Sequence, residues 1–133
     1  MHEIHGWINL AESPRDIDEG SLDDKKLEIE RCIARLGWSE SGWQIVPLNG
    51  TFTLVIHSRH NRRGSTAKDL QEIICLINIL LPGSYGVVYE LEEEAKTHNG
   101  ESLFSVKVVS RGECRLALDP FLSPLVPVVE DPS

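Results

Sequence analysis

No run of apolar residues in this sequence approaches the ~20 that a bilayer-spanning helix needs. The opening MHEIHGWINL carries neither a basic n-region nor an apolar h-region, so no signal peptide is expected. Paired cysteines are missing as well. Cys32, Cys75 and Cys114 form no CxxC motif, and two of them fall on the apolar faces of predicted helices. Buried free thiols in a reducing cytoplasm are therefore expected. There is no GxSxG, no HExxH and no Walker lysine loop, which leaves no recognisable catalytic machinery. Histidines occur at His2 and His5 and at His57 and His60, but residues three apart on a strand point to opposite faces. With no cysteine near either pair in sequence, a zinc site is not expected. The acids Glu90, Glu92, Glu93 and Glu94 lack the Asp/Asn and Gly pattern of a calcium loop and read as a solvated turn. Neither an enzyme nor a bound cofactor or metal is expected. Bases are the minority charge: 13 Lys and Arg against 21 Asp and Glu, for a net charge of −8. That balance disfavours nucleic acid and anionic membranes as partners and fits solubility or a basic protein partner.

What is present describes one domain over residues 1–133. EIHGWINL, residues 3–10, reads as a strand, followed by a Pro-, Gly- and acid-rich loop. Leu22, Ile29, Cys32, Ile33 and Leu36 recur at helical spacing, with Gly37 placed to cap the C-terminus. The dipeptide Asn49-Gly50 joins two predicted strands in a tight type I′ hairpin. Thr66 and Asp69 suggest a helix start. Leu70, Ile73, Ile74, Ile77 and Leu81 then form a stripe widened by Leu76, Ile79 and Leu80, until Pro82-Gly83 stops it. SYGVVYEL is a strand, EEEAKTHNGE its polar turn, SLFSVKVVS the next strand and CRLAL a short last one. The predicted class is α+β: an antiparallel sheet of five to six strands, order β-α-β-β-α-β-β-β, with two helices on one face. Trp7, beside Gly6, is expected in the core; Trp38 and Trp43 flank a helix end and suit either the core or an interface.

Four of the seven prolines, Pro120, Pro124, Pro127 and Pro132, fall in the last fourteen residues. They exclude a helix there, while Phe121, Leu122, Leu125, Val126, Val128 and Val129 make the segment too apolar for a solvated tail. Residues 120–133 are expected to form an extended strap packed on the body. The formal PxxP at Pro124–Pro127 lacks a basic anchor, which weighs against a peptide-ligand role. Acid crowds into ESPRDIDEGSLDD and again into ELEEE, whereas SRHNRR is a small basic island of Arg59, Arg62 and Arg63. Such runs serve solubility or complement a basic protein, and composition does not separate the two.

Several segments, in order along the chain, resemble the immunity protein 7 family of bacterial polymorphic toxin and contact-dependent growth inhibition systems. HEIHGWINL is similar to the family's opening strand with its His-Gly-Trp, LNGTFTLVIHSRHNRR to its central hairpin and SYGVVYELEEE to its Ser-Tyr-Gly strand. VVSRGECRLALDPFLSP is similar to its Arg-Gly turn and Asp-Pro-Phe-Leu-Ser-Pro segment, and VPVVEDPS to its terminus. The likeness runs from His2 to Pro132; HGW alone is a weak signal, but the ordered set is specific. It implies a non-enzymatic antidote that binds the C-terminal domain of a secreted toxin, in the cytoplasm, as a monomer or 1:1 complex. Many such toxins are nucleases, whose clefts must be basic to hold phosphates. The residues expected to face that toxin are Asp16, Asp18, Glu19, Asp23 and Asp24, or Glu92, Glu93 and Glu94, with Trp38 or Trp43 as aromatic anchors. A secretion-effector chaperone, also small, acidic and α+β, is the rival from another class.

Overall fold

The computed structural model describes residues 2–12, 22–38, 42–60, 66–96 and 102–118, with 2, 60, 92–96, 102–104 and 118 described by backbone only. The elements are β1 (His2–Leu10), α1 (Leu22–Arg35), β2 (Trp43–Leu48), β3 (Thr51–His60), α2 (Thr66–Leu80), β4 (Tyr85–Lys96), β5 (Ser102–Ser110) and β6 (Glu113–Leu118). Six strands form one antiparallel sheet in the order β2-β3-β1-β4-β5-β6. The α+β class and the element order are as the sequence predicts. The 120–133 strap lies outside the described residues.

Alternation along the strands sorts side chains onto two faces. Ile4, Ile8 and Leu10 of β1 share a face with Trp43 of β2, Leu54 and Ile56 of β3, Val88 of β4 and Val109 of β5, through the pairings Ile8↔Leu54, Gly6↔Ile56, Gly6↔Val88 and Gly86↔Val109. All eight are buried in one cluster with Ile29, Cys32 and Ile33 of α1 and Leu70, Ile73, Ile74 and Ile77 of α2. Both helices therefore cover this face. The other face carries Glu3, His5 and Trp7 of β1, and no described helix packs on it.

Local chemistry fixes the junctions. Asn49 and Gly50 have φ of 50° and 81°, the left-handed pair that a type I′ turn demands. Where β1 and β4 meet, Gly6 and Gly86 both point to the helix face. A Cβ on Gly86 would overlap the Trp7 carbonyl, and one on Gly6 would meet Val88 Cα at 2.7 Å, so only glycine lets these strands pair here. At the end of α1, Gly37 N–H donates to Ala34 O and Trp38 N–H to Ile33 O, both at 3.0 Å. That Schellman closure turns the chain so that Trp38 folds back onto the core.

Five expectations need correction. Trp7 is not a core residue: it is 44% exposed, because Ile4, Ile8 and Leu10 claim the helix face and parity sends position 7 to the other. Strand β4 continues to Lys96, so residues 92–96 belong to the strand and not to its turn. Glu90 is not solvated; it shares the helix face with Ile4 and lies buried 3.9 Å from Lys107 Nζ. Ile79 leaves the α2 stripe and is exposed, and so is Cys75, whereas Cys32 is buried as predicted. A helix has more circumference than one contact face can cover. All three cysteines are free thiols.

Candidate partner-binding surface

Charge divides along β1. Asp23 and Asp24 open α1 and are exposed, where carboxylates interact favourably with the free N–H groups of a first helical turn. The adjacent lysines are turned elsewhere: Lys25 Nζ lies 3.8 Å from Glu12 Oε2, and Lys26 Nζ lies 3.0 Å from Glu30 Oε1 and 4.6 Å above the Phe52 ring. Among the described residues no base reaches Asp23 or Asp24. Because Glu12 follows β1 by two residues, its contact with Lys25 sets the first turn of α1 at the C-terminal end of that strand. Glu92 pairs with His2 at the opposite end. At roughly 3.3 Å per residue, the two ends of β1 are about 26 Å apart.

At the His2 end the helix-free face holds a compact polar relay. Arg59 donates to Glu3 Oε1 through Nη2 at 2.6 Å and Nε at 3.2 Å, and His5 Nε2 lies 2.9 Å from the same oxygen. His5 Nδ1 also lies 2.7 Å from His57 Nδ1, so one of the two rings donates and the other accepts. Burial pushes the Glu3 carboxyl up, but the hydrogen bonds and positive charges of Arg59 and His5 outweigh it and hold the group below the ordinary carboxylate range. His5 and His57, far apart in sequence, meet across the β1–β3 pairing, while the side chains of His2 and His60 lie outside the described residues. Among the described residues no cluster of three metal-ligating side chains exists.

The other end of this face is apolar and open. Trp7 meets Tyr85 edge-on, ring centroids 6.0 Å apart and planes at 90°, and Tyr85 is 52% exposed. Val55 is paired with Trp7, while Val46, Leu48 and Tyr85 fall in the rows beyond it, and all three aliphatic side chains are exposed. Ala11 N–H donates to Ser84 Oγ at 3.1 Å, joining the residue beside Tyr85 to the residue beside Glu12. The aromatic pair and the first turn of α1 thus sit at the same end of the sheet.

Against this geometry stands one comparison with known sequences: the family model described as immunity protein 7 matches residues 1–131. The chain belongs to the immunity protein 7 family. Membership makes it an immunity protein against a toxin, from a family that is generally non-enzymatic. No curated protein and no solved structure matches it. No helix among the described residues is long and apolar enough to cross a membrane.

The two motifs that carry the family likeness at the front and middle of this immunity protein, His5-Gly6-Trp7 and Ser84-Tyr85-Gly86, are side by side on β1 and β4. Their glycines make the close strand approach and their aromatics form the exposed pair. Of the residues expected to face the toxin, Asp23 and Asp24 are on the surface. Asp16, Asp18 and Glu19 lie outside the described residues, and Glu92, Glu93 and Glu94 are described by backbone alone, at the far end of β1. Trp38 and Trp43 are not available as anchors: they are 8% and 1% exposed, stacked at 4.7 Å and 15°. Each indole N–H is already taken, Trp38 by Asp69 Oδ2 at 2.8 Å and Trp43 by Ser58 Oγ at 3.3 Å. Among the described residues, the exposed aromatics are Trp7 and Tyr85. Strict parity along β1 was the signal that would have pointed Trp7 outward; nothing in the sequence marked Tyr85 as its partner, since register across strands is a tertiary property.

Proposed function

We propose that this immunity protein neutralises a nuclease toxin by occlusion, presenting an acidic surface to the basic cleft that holds the toxin's phosphate-bearing substrate. It acts in the cytoplasm as a monomer in a 1:1 complex with the toxin's C-terminal domain. Asp16, Asp18, Glu19, Asp23 and Asp24 form the contact set, with the Pro-rich 120–133 segment serving the scaffold as a strap.

The observation that carries this reading is the one-sided placement of acid. Asp23 and Asp24 are exposed with no described base beside them, because Lys25 and Lys26 are committed to Glu12 and Glu30. At the His2 end, by contrast, Arg59 is bound into the Glu3 relay, so acid and base are mixed. A basic protein is attracted to the α1 end and gains little at the other. This favours the first of the two acidic clusters over Glu92, Glu93 and Glu94. Steered association of this kind approaches about 10⁸–10⁹ M⁻¹s⁻¹ at low salt.

Affinity for the C-terminal domain of the protein encoded immediately upstream, measured at two salt concentrations, tests the proposal. Nanomolar binding that weakens steeply with salt is expected. Tight binding indifferent to salt would remove the electrostatic mechanism, and absence of binding would remove the toxin assignment.

A further inference from the structure

Five of the large apolar side chains exposed on this protein, Trp7, Tyr85, Val46, Leu48 and Val55, fall on one face of the sheet and at one end of it. The pairings Val46↔Thr53, Thr53↔Asn9 and Asn9↔Tyr85 run straight across β2, β3, β1 and β4. The row Gln44↔Val55, Val55↔Trp7 and Trp7↔Val87 lies next to it. Exposed apolar patches of this kind mark interaction sites on soluble proteins. The patch is not a general feature of the helix-free face, for Leu91 is fully buried and Val106 nearly so at the other end.

We infer that the toxin docks on this patch, with Trp7 and Tyr85 as its anchors; the inference rests on the toxin-binding reading above and supplies the centre which that reading lacks. Acid alone gives steering, whereas tight binding requires a desolvated core of large side chains, and Trp and Tyr lead such cores. The Trp7–Tyr85 pair has the right anatomy. Its rings brace each other at 90°, so they lose little freedom on binding, and Gly6 and Gly86 fix the backbone under both. The occupant is a basic protein surface rather than another copy of this acidic chain. The patch lies at the end of the sheet where α1 begins on the opposite face with exposed Asp23 and Asp24, which no described base reaches, and two chains of net charge −8 meeting there would repel. A toxin seated on the aromatic pair brings its basic residues against that acidic end.

Trp7 is its own reporter, since Trp38 and Trp43 are shielded from solvent. Acrylamide quenching of the full chain, corrected with the Trp7→Phe variant, follows its exposure alone and in the presence of the upstream-encoded toxin domain. Quenching of Trp7 in the free protein, and its loss in the complex, are expected; Trp7→Ala and Tyr85→Ala should each weaken affinity at least tenfold while leaving the melting temperature nearly unchanged. A complex in which Trp7 quenches as freely as before overturns the surface while leaving the toxin-binding reading intact. No complex overturns both. Shielding that grows with protein concentration alone assigns the patch to a second copy and overturns it, and shielding in the dilute free protein assigns it to the chain's own tail, with the same consequence.

Discussion

Along the nine residues of β1, Ile4, Ile8 and Leu10 alternate with Glu3, His5 and Trp7, and the two sets live under different physics. The first set is sealed beneath α1 and α2 in a continuous aliphatic core. The second shares its face with no described helix, and its members range from the buried carboxylate Glu3 at one end to the open Trp7 at the other. A two-residue period makes this division cheap: one strand serves stability with every even position and is free to serve recognition with the odd ones.

The comparison breaks most sharply if the helix face proves expendable. Ile74→Ala, at a fully buried position of α2, should cost about 2–5 kcal/mol in the denaturant-unfolding free energy, through lost burial and the cavity left behind. A loss below 1 kcal/mol would mean that the core tolerates collapse around it.

A somewhat smaller effect is expected from the strap. Leu91 and Val106 are buried on a face that no described element covers, and among the segments outside the described residues, 120–133 is by far the most apolar. Phe121→Ser should therefore lower stability by about 1.5–3 kcal/mol. Methyl contacts of Leu91 and Val106 with the tail, seen by NMR, would sharpen the point; an unchanged melting temperature with lost toxin binding would make the tail a ligand instead.

Asp69 ranks next, for it accepts the Trp38 indole N–H inside the core. Asp69→Ala leaves that donor with no acceptor from the residue and should cost about 1–3 kcal/mol, read by denaturation followed through tryptophan fluorescence. Subtler still is the acid dependence of the relay on the other face. Glu3 holds its charge to lower pH in the folded protein than in the unfolded chain, so its contribution is complete above the ordinary carboxyl range and fades as pH falls through that range towards the lowered value. Below about pH 4.3 the melting temperature should decline, and Arg59→Ala should flatten that part of the decline. The smallest effect on stability is expected at Trp7: Trp7→Ala should change the unfolding free energy by no more than about 0.5 kcal/mol, as exposed substitutions do. A large loss there would return Trp7 to the scaffold and blur the division between the faces.

Much of the fold was legible from local chemistry. Asn49-Gly50 and Gly37 announced a hairpin and a helix end because left-handed backbone excludes most other residues, and the stripes of α1 and α2 announced which helix face turns inward. The acids at Asp23 and Asp24 were legible as a charged surface from the sequence alone. The aromatic part of the candidate site was not. Trp38, flanking a helix end, suited either the core or an interface until a Schellman turn folded it back onto Trp43 and Asp69, and Trp7, beside Gly6 in a strand, looked like core.

Composition, periodicity and turn residues by themselves determined that this protein is an acidic α+β domain with two amphipathic helices, since each of those properties is decided within a few neighbouring residues. Its family, too, is written in the ordered motifs. Only the tertiary structure decided that His5 meets His57, that Trp7 meets Tyr85, and that Asp23 and Asp24 lie at the opposite end of β1 from Glu92. Those outcomes depend on strand order and register, which are set by how the whole sheet buries its apolar face and are carried by no single segment.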